Sequence, residues 1–146
     1  MKKIIAASLF AGLFTSAAFA ATPTPDISVD LSGGGYKAVG SLTDKLNLAR
    51  SGLMTAQASR AGFVKNNFEF TISANVVAGI NEDAANSRFG VIAGSNKGYV
   101  VFTGTSVGGS ISQCGQPVAK TVENLAGSLV LTANLAFGQA NGCNRT

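Results

Sequence analysis

The sequence predicts an α+β domain, an antiparallel β-sheet with one main N-terminal helix packed on it. Residues 41–60 place Leu42, Leu46, Ala49, Leu53 and Ala56 on one helical face. Residues 68–76 and 128–137 alternate apolar and polar with a period of two. Short Gly-, Asn- and Ser-rich stretches separate the later segments, as they do between hairpin strands. An all-β sandwich is the alternative if residues 41–60 are extended.

The first twenty residues read as a cleavable secretory signal. Lys2 and Lys3 form a positive start, Ile4 to Phe14 an apolar run, and Ala18-Phe19-Ala20 a small-x-small cleavage site. The run is shorter than the roughly 18–20 residues of a spanning helix, so no membrane span is expected after cleavage. No Cys lies at the cleavage point to take a lipid. Gly12 is not followed by the long apolar helix with an early Glu that marks a type IV prepilin. Cleavage before Ala21 leaves residues 21–146 as a single secreted domain, with 21–35 as an extended N-terminal arm.

Ala21-Thr22-Pro23-Thr24-Pro25 is too rich in Pro for a helix or a central strand. Asp26 to Leu31 alternates, with Ile27, Val29 and Leu31 on one face, and Gly33-Gly34-Gly35 breaks the pattern. Such an arm pairs within its own sheet or with a sheet edge of a neighbouring subunit. Ile27, Val29 and Leu31 are therefore candidate subunit–subunit contacts.

The helix expected over 41–60 has Ser41 or Thr43 as a cap and Asp44 in its first turn. Gly52 costs it about 1 kcal/mol relative to Ala, and Gly62 suits a stop. Phe68, Phe70, Ile72, Ala74 and Val76 then share one face of a strand, and Asn81 to Ser87 reads as a polar loop. Phe89–Ala93 and Tyr99–Thr103 form a hairpin around Gly94 to Gly98. Gly104 to Gln116 reads as loop with a short strand near Ile111, and Pro117 to Leu125 as a helical turn. A last strand, Ser128 to Phe137, shows Leu129, Leu131, Ala133, Leu135 and Phe137 on one side.

The residue inventory narrows the chemistry. Of 11 basic residues two lie in the signal, which leaves nine against seven acidic, a net charge near +2. The nine are scattered singly, so no row of phosphates is matched and nucleic acid is not an expected partner. Cys114 and Cys143 form an even pair in an exported chain and predict one disulfide. Neither C-x-x-C nor His ligands accompany them, so no metal site and no cofactor are expected.

There is no His, which removes Ser-His-Asp and Cys-His nucleophile systems. Ser-x-x-Lys is missing too. The acids Asp26, Asp30, Asp44, Glu69, Glu82, Asp83 and Glu123 read as solvated surface charge rather than as a glycosidase pair. Asn81-Glu82-Asp83 with Asn86 offers oxygen ligands but matches no EF-hand spacing. The glycine clusters lack phosphate-binding spacing, and Tyr36 and Tyr99 suit a core or rim better than a sugar platform. Asn144-Arg145-Thr146 matches a glycosylation acceptor by pattern alone.

What remains is an exported, non-enzymatic protein, either a fimbrial or filament subunit or a soluble periplasmic binding or accessory factor. Its expected partners are copies of itself or other envelope proteins. The low charge and small disulfide-stapled body favour self-association. One helix, an antiparallel sheet and a late disulfide also resemble a pilin head domain, in architecture only.

Overall fold

The computed structural model describes residues 24–41, 47–119 and 128–145. Residues 1–20, read above as a signal, residues 21–23 of the arm, residues 42–46 of the segment expected to be helical, with Asp44, residues 120–127 with Glu123, and Thr146 lie outside these. β1 (Ile27–Asp30) forms where alternation places it, with Ile27 and Val29 buried and Ser28 and Asp30 exposed. Asp30 ends the strand by accepting bonds from the Ser32 N–H at 2.8 Å and the Ser32 hydroxyl at 2.7 Å. Those bonds, the backbone one first, hold its carboxyl below the usual value. Gly33, Gly34 and Gly35 then turn the chain at φ 76°, 63° and 77°, a region glycine enters without steric cost. β2 (Gly35–Val39) follows directly.

The segment 41–60 is not a helix packed on a sheet. Its described part contains β3 (Arg50–Thr55), followed by a single 3₁₀ turn at Ala58–Arg60. β1 pairs with β3 in parallel, from Ile27↔Gly52 to Asp30↔Thr55. β4 (Phe68–Ile72) pairs with it antiparallel, from Arg50↔Ile72 to Met54↔Phe68. Gly52 lies against the Phe70 ring, where an added Cβ would sit 2.2 Å from the ring tip. Met54 follows it inward while Leu53 stays half-exposed. A strand here satisfies the backbone groups of two neighbours at once, which a helix cannot do.

The strand expected through residues 68–76 is two strands in different sheets. Asn75 at φ 63° and a 3.2 Å bond from the Val76 N–H to the Ser73 carbonyl turn the chain. β5 (Val76–Asp83) then continues through Asn81–Asp83, residues whose polarity suggests a loop. β6 (Arg88–Ser95) and β7 (Val101–Thr105) make the expected hairpin, and β8 (Ser112–Gln113) adds a two-residue edge. Residues 128–137 do not form the expected strand. They contain one 3₁₀ turn, Thr132–Asn134, and an isolated bridge, Leu135↔Cys143. Val130 is fully buried and Leu131 is exposed, the reverse of the predicted face.

The architecture is thus all-β, with sheets ordered β1-β3-β4 and β2-β5-β6-β7-β8. One core fills the space between them, where Ile27, Val29, Leu31, Met54 and Ile72 meet Val39, Ala78 and Ile80. A second core lies on the far face of the larger sheet, where Val77, Ile92 and Val101 meet Val130, Leu135 and Cys114. Gly90 lets Leu135 and Phe137 approach that face, and Gly94 does the same for Val130. The Tyr36 ring crosses Gly79, its hydroxyl donates to the Val130 carbonyl at 2.7 Å, and burial raises its pKa. The Cys114–Cys143 disulfide, spanning 29 positions, fastens the C-terminal segment, and Arg145 Nη1 donates to the Cys114 carbonyl at 2.7 Å.

Two stability measurements follow. In a helix Gly52→Ala would stabilise by about 1 kcal/mol. In β3 it forces Phe70 to move and should destabilise by roughly 1–3 kcal/mol in urea unfolding. Replacing Cys114 and Cys143 together by Ser should cost about 3 kcal/mol and lower the thermal midpoint under non-reducing conditions.

Candidate functional site

The two sheets differ in width, and the site arises from that mismatch. β1 lies against β2, and the tight turn at 73–75 leads from β4 into β5 in the other sheet. The larger sheet therefore continues through β6, β7 and β8 past the last strand of the smaller one. Alternation sends Phe89, Val91 and Ala93 to the inter-sheet side of β6, with Ile92 opposite. Phe89 and Ala93 reach the edge of the core, but Val91 and Phe102 remain 38% and 44% exposed. They form the floor of an open groove of about 430 Å³.

Both walls are fixed by specific contacts. On one side Phe63 stacks on Phe89, with ring centres 6.0 Å apart. Its loop is anchored by Glu82, a carboxylate only 1% exposed. Glu82 Oε1 accepts the Val64 N–H at 3.1 Å, Oε2 accepts Gln57 Nε2 at 3.0 Å, and Gly62 packs against the carboxylate itself. On the other side Ile111 rests on Gly104. The Ser110 N–H donates to Asn141 Oδ1 at 2.8 Å, and Asn141 Nδ2 donates to Ser112 Oγ at 2.9 Å. Ser106 completes the rim, accepting the Phe89 N–H at 2.8 Å through its hydroxyl. No lining residue carries a charge. The surface is suited to an uncharged, partly apolar segment, and the polar side chains among its lining residues are the hydroxyls of Thr103, Thr105, Ser106 and Ser110.

The other residues considered from the sequence do not converge. Asp83 is engaged by Arg88, which holds its carboxyl below the usual range, and by Asn86. Glu82 points to the opposite side, toward Gln57 and Val64, so residues 81–86 form no joint ligand set. Among the described residues no three His, Cys, Asp or Glu side chains are grouped to hold a metal. Among them, too, no helix is long and apolar enough to cross a membrane. Glu69 is exposed on β4, and Asp26 accepts the Ser51 N–H at 3.2 Å. Tyr36 belongs to the second core, and Tyr99 to the β6–β7 connection. Ile27, Val29 and Leu31, the candidate subunit–subunit residues, are 4%, 2% and 0% exposed in this chain's own inter-sheet core.

Sequence reading overlooked the groove because its residues belong to three separate segments. One local signal was present: β6 is apolar on both faces, through Phe89, Val91 and Ala93 as well as Ile92. No protein family, curated protein or solved structure matches this chain.

Glu82→Ala removes the anchor of the Phe63 wall and leaves the Val64 N–H and Gln57 amide without their acceptor. It should cost about 1–3 kcal/mol in unfolding free energy. The Phe63 ring resonances should shift more than those of the second core.

Proposed function

We propose that this protein is an exported, non-enzymatic structural subunit, fimbrial or filament-forming in kind, which assembles with copies of itself at the cell surface. The uncovered groove on β6 and β7 carries the reading. A contiguous exposed apolar patch on a small exported domain marks a contact surface. Low net charge leaves little repulsion between copies. The signal pattern and the disulfide support export, since such a bridge persists in oxidising compartments.

A soluble periplasmic binding or accessory protein is the second reading. The groove volume of about 430 Å³ favours it, falling within the roughly 300–1,000 Å³ of ligand clefts. Light scattering and negative-stain microscopy of residues 21–146, alone and with Val91→Asp, separate the two. Self-assembly weakened about tenfold or more by the buried charge supports the structural subunit. A wild-type chain that stays monomeric while an apolar ligand perturbs Val91 and Phe102 supports the binding protein instead.

A further inference from the structure

We infer that the groove is one half of a self-complementary surface: two copies of this chain meet face to face about a two-fold axis, and Ile111 of each seats in the groove of the other. This rests on the self-assembly reading and names the contact that begins it.

Ile111 is the ridge of that surface. Its side chain is 82% exposed, yet the chain on either side of it is clamped. The Ser110 N–H donates to Asn141 Oδ1 at 2.8 Å, and Asn141 Nδ2 donates to Ser112 Oγ at 2.9 Å. One asparagine thus holds the residue before and the residue after, and presents the isoleucine to solvent in a fixed place. An apolar anchor held in this way has little left to order when it is buried against a partner.

The groove lies directly beside the ridge. Ile111 rests on Gly104, where an added Cβ would stand 2.9 Å from its Cγ1. Gly104 is the register partner of Val91, and Val91 with Phe102 makes the exposed floor. Ridge and floor are therefore about one strand spacing apart, roughly 4.8 Å. A ridge flanking a groove is matched to its own copy. A half-turn about an axis in the contact plane, along their boundary, sets each ridge over the other groove. That is the isologous arrangement, in which residue i meets j and j meets i. Such a contact closes on itself, so the dimer is the unit from which a filament is built through other surfaces.

Backbone pairing and charge favour a folded surface over an added strand. Val91 lies between Ile80 on β5 and Gly104 on β7, and Phe102 between Ala93 on β6 and Gln113 on β8. The floor strands are thus paired on both sides, and side chains alone hold an occupant. No charge lines the groove, so the surface does not repel its own image, which a two-fold contact requires.

The area is sufficient as well. Phe63, Val91 and Phe102 are each roughly two-fifths exposed; with Ile111 they present on the order of 400 Å² of apolar surface, given the 150–250 Å² of an aromatic side chain. A standard interface covers about 800 Å² per partner, somewhat over half of it apolar. The Ser and Gly rim supplies the remainder.

Sedimentation velocity of residues 21–146 tests the contact, with Ile111→Lys on the ridge and Val91→Asp on the floor. Circular dichroism melts check that each is folded, and Phe102→Ser replaces Val91→Asp if that chain unfolds. The unaltered chain should show a concentration-dependent dimer. Each variant alone should dimerise about tenfold more weakly or worse. Mixing Ile111→Lys with Val91→Asp should give a one-to-one complex tighter than either forms with itself. One ridge–groove contact is then unaltered, and the other joins Lys to Asp. Dimers weakened by the floor variant but unchanged in Ile111→Lys would overturn this inference and leave self-assembly through the groove intact. Passage from monomer to higher oligomers with no dimer populated would overturn the two-fold geometry. Assembly unaffected by both variants, or an unaltered chain that stays monomeric, would overturn the self-assembly reading itself.

Discussion

A three-stranded sheet cannot cover a five-stranded one. At roughly 4.8 Å between strands, two strands of difference leave about 10 Å of face without a partner layer. In this protein the apolar residues left uncovered on the inter-sheet side of the larger sheet are Val91 on β6 and Phe102 on β7. The position is set at Ser73–Asn75, where one tight turn carries the chain from β4 into β5 in the other sheet. Apolar residues on the inter-sheet side of β6 are therefore split. Ala93 and Phe89 meet the core, while Val91 meets the groove.

The opposite face of the larger sheet solves the same problem differently. Among the described residues no second sheet lies there, and the C-terminal segment 128–145 does the covering. Such a segment has few backbone partners of its own, so several of its carbonyls accept from side chains. Tyr36 serves Val130, Asn134 serves Leu129 and Asn144 serves Ala133. Gly90 and Gly94 lower the sheet surface enough for Leu135 and Val130 to sit close. The disulfide then restricts how far the segment can leave in the unfolded chain. One face is thus sealed by local tailoring, and the other is left open. The same segment also reaches the groove wall, because Asn141 holds Ser110 and Ser112.

How much was legible in the sequence depended on how local each signal was. The β1 alternation and the β6–β7 hairpin are properties of short contiguous stretches, and both were read close to their true bounds. The helix over 41–60 was a spacing of Leu and Ala that fits one period as well as it conflicts with another. What decided for β3 was Phe70, eighteen positions from Gly52, which needs a residue without a side chain beside it. Glu82 misled in the same way. Its polarity suggested a loop, yet the Val64 N–H and Gln57 amide arrive from a distant segment and make its burial affordable. The alternation over 128–137 pointed to a strand that has no sheet edge to join. With that helix and strand removed, the architectural likeness to a pilin head has no remaining support.

By itself the sequence determined the properties that reside in single residues or short runs. These are the even cysteine pair, the lack of histidine, the low content of charged residues and the extended start at residues 26–31. Each follows from composition or from covalent geometry, which need no knowledge of neighbours. Only the tertiary structure decided which strands share a sheet, which apolar face is covered, and that Phe63, Val91, Phe102 and Ile111 meet around one groove. Those outcomes depend on contacts between residues far apart in the chain, where packing and backbone hydrogen bonding outweigh local preference.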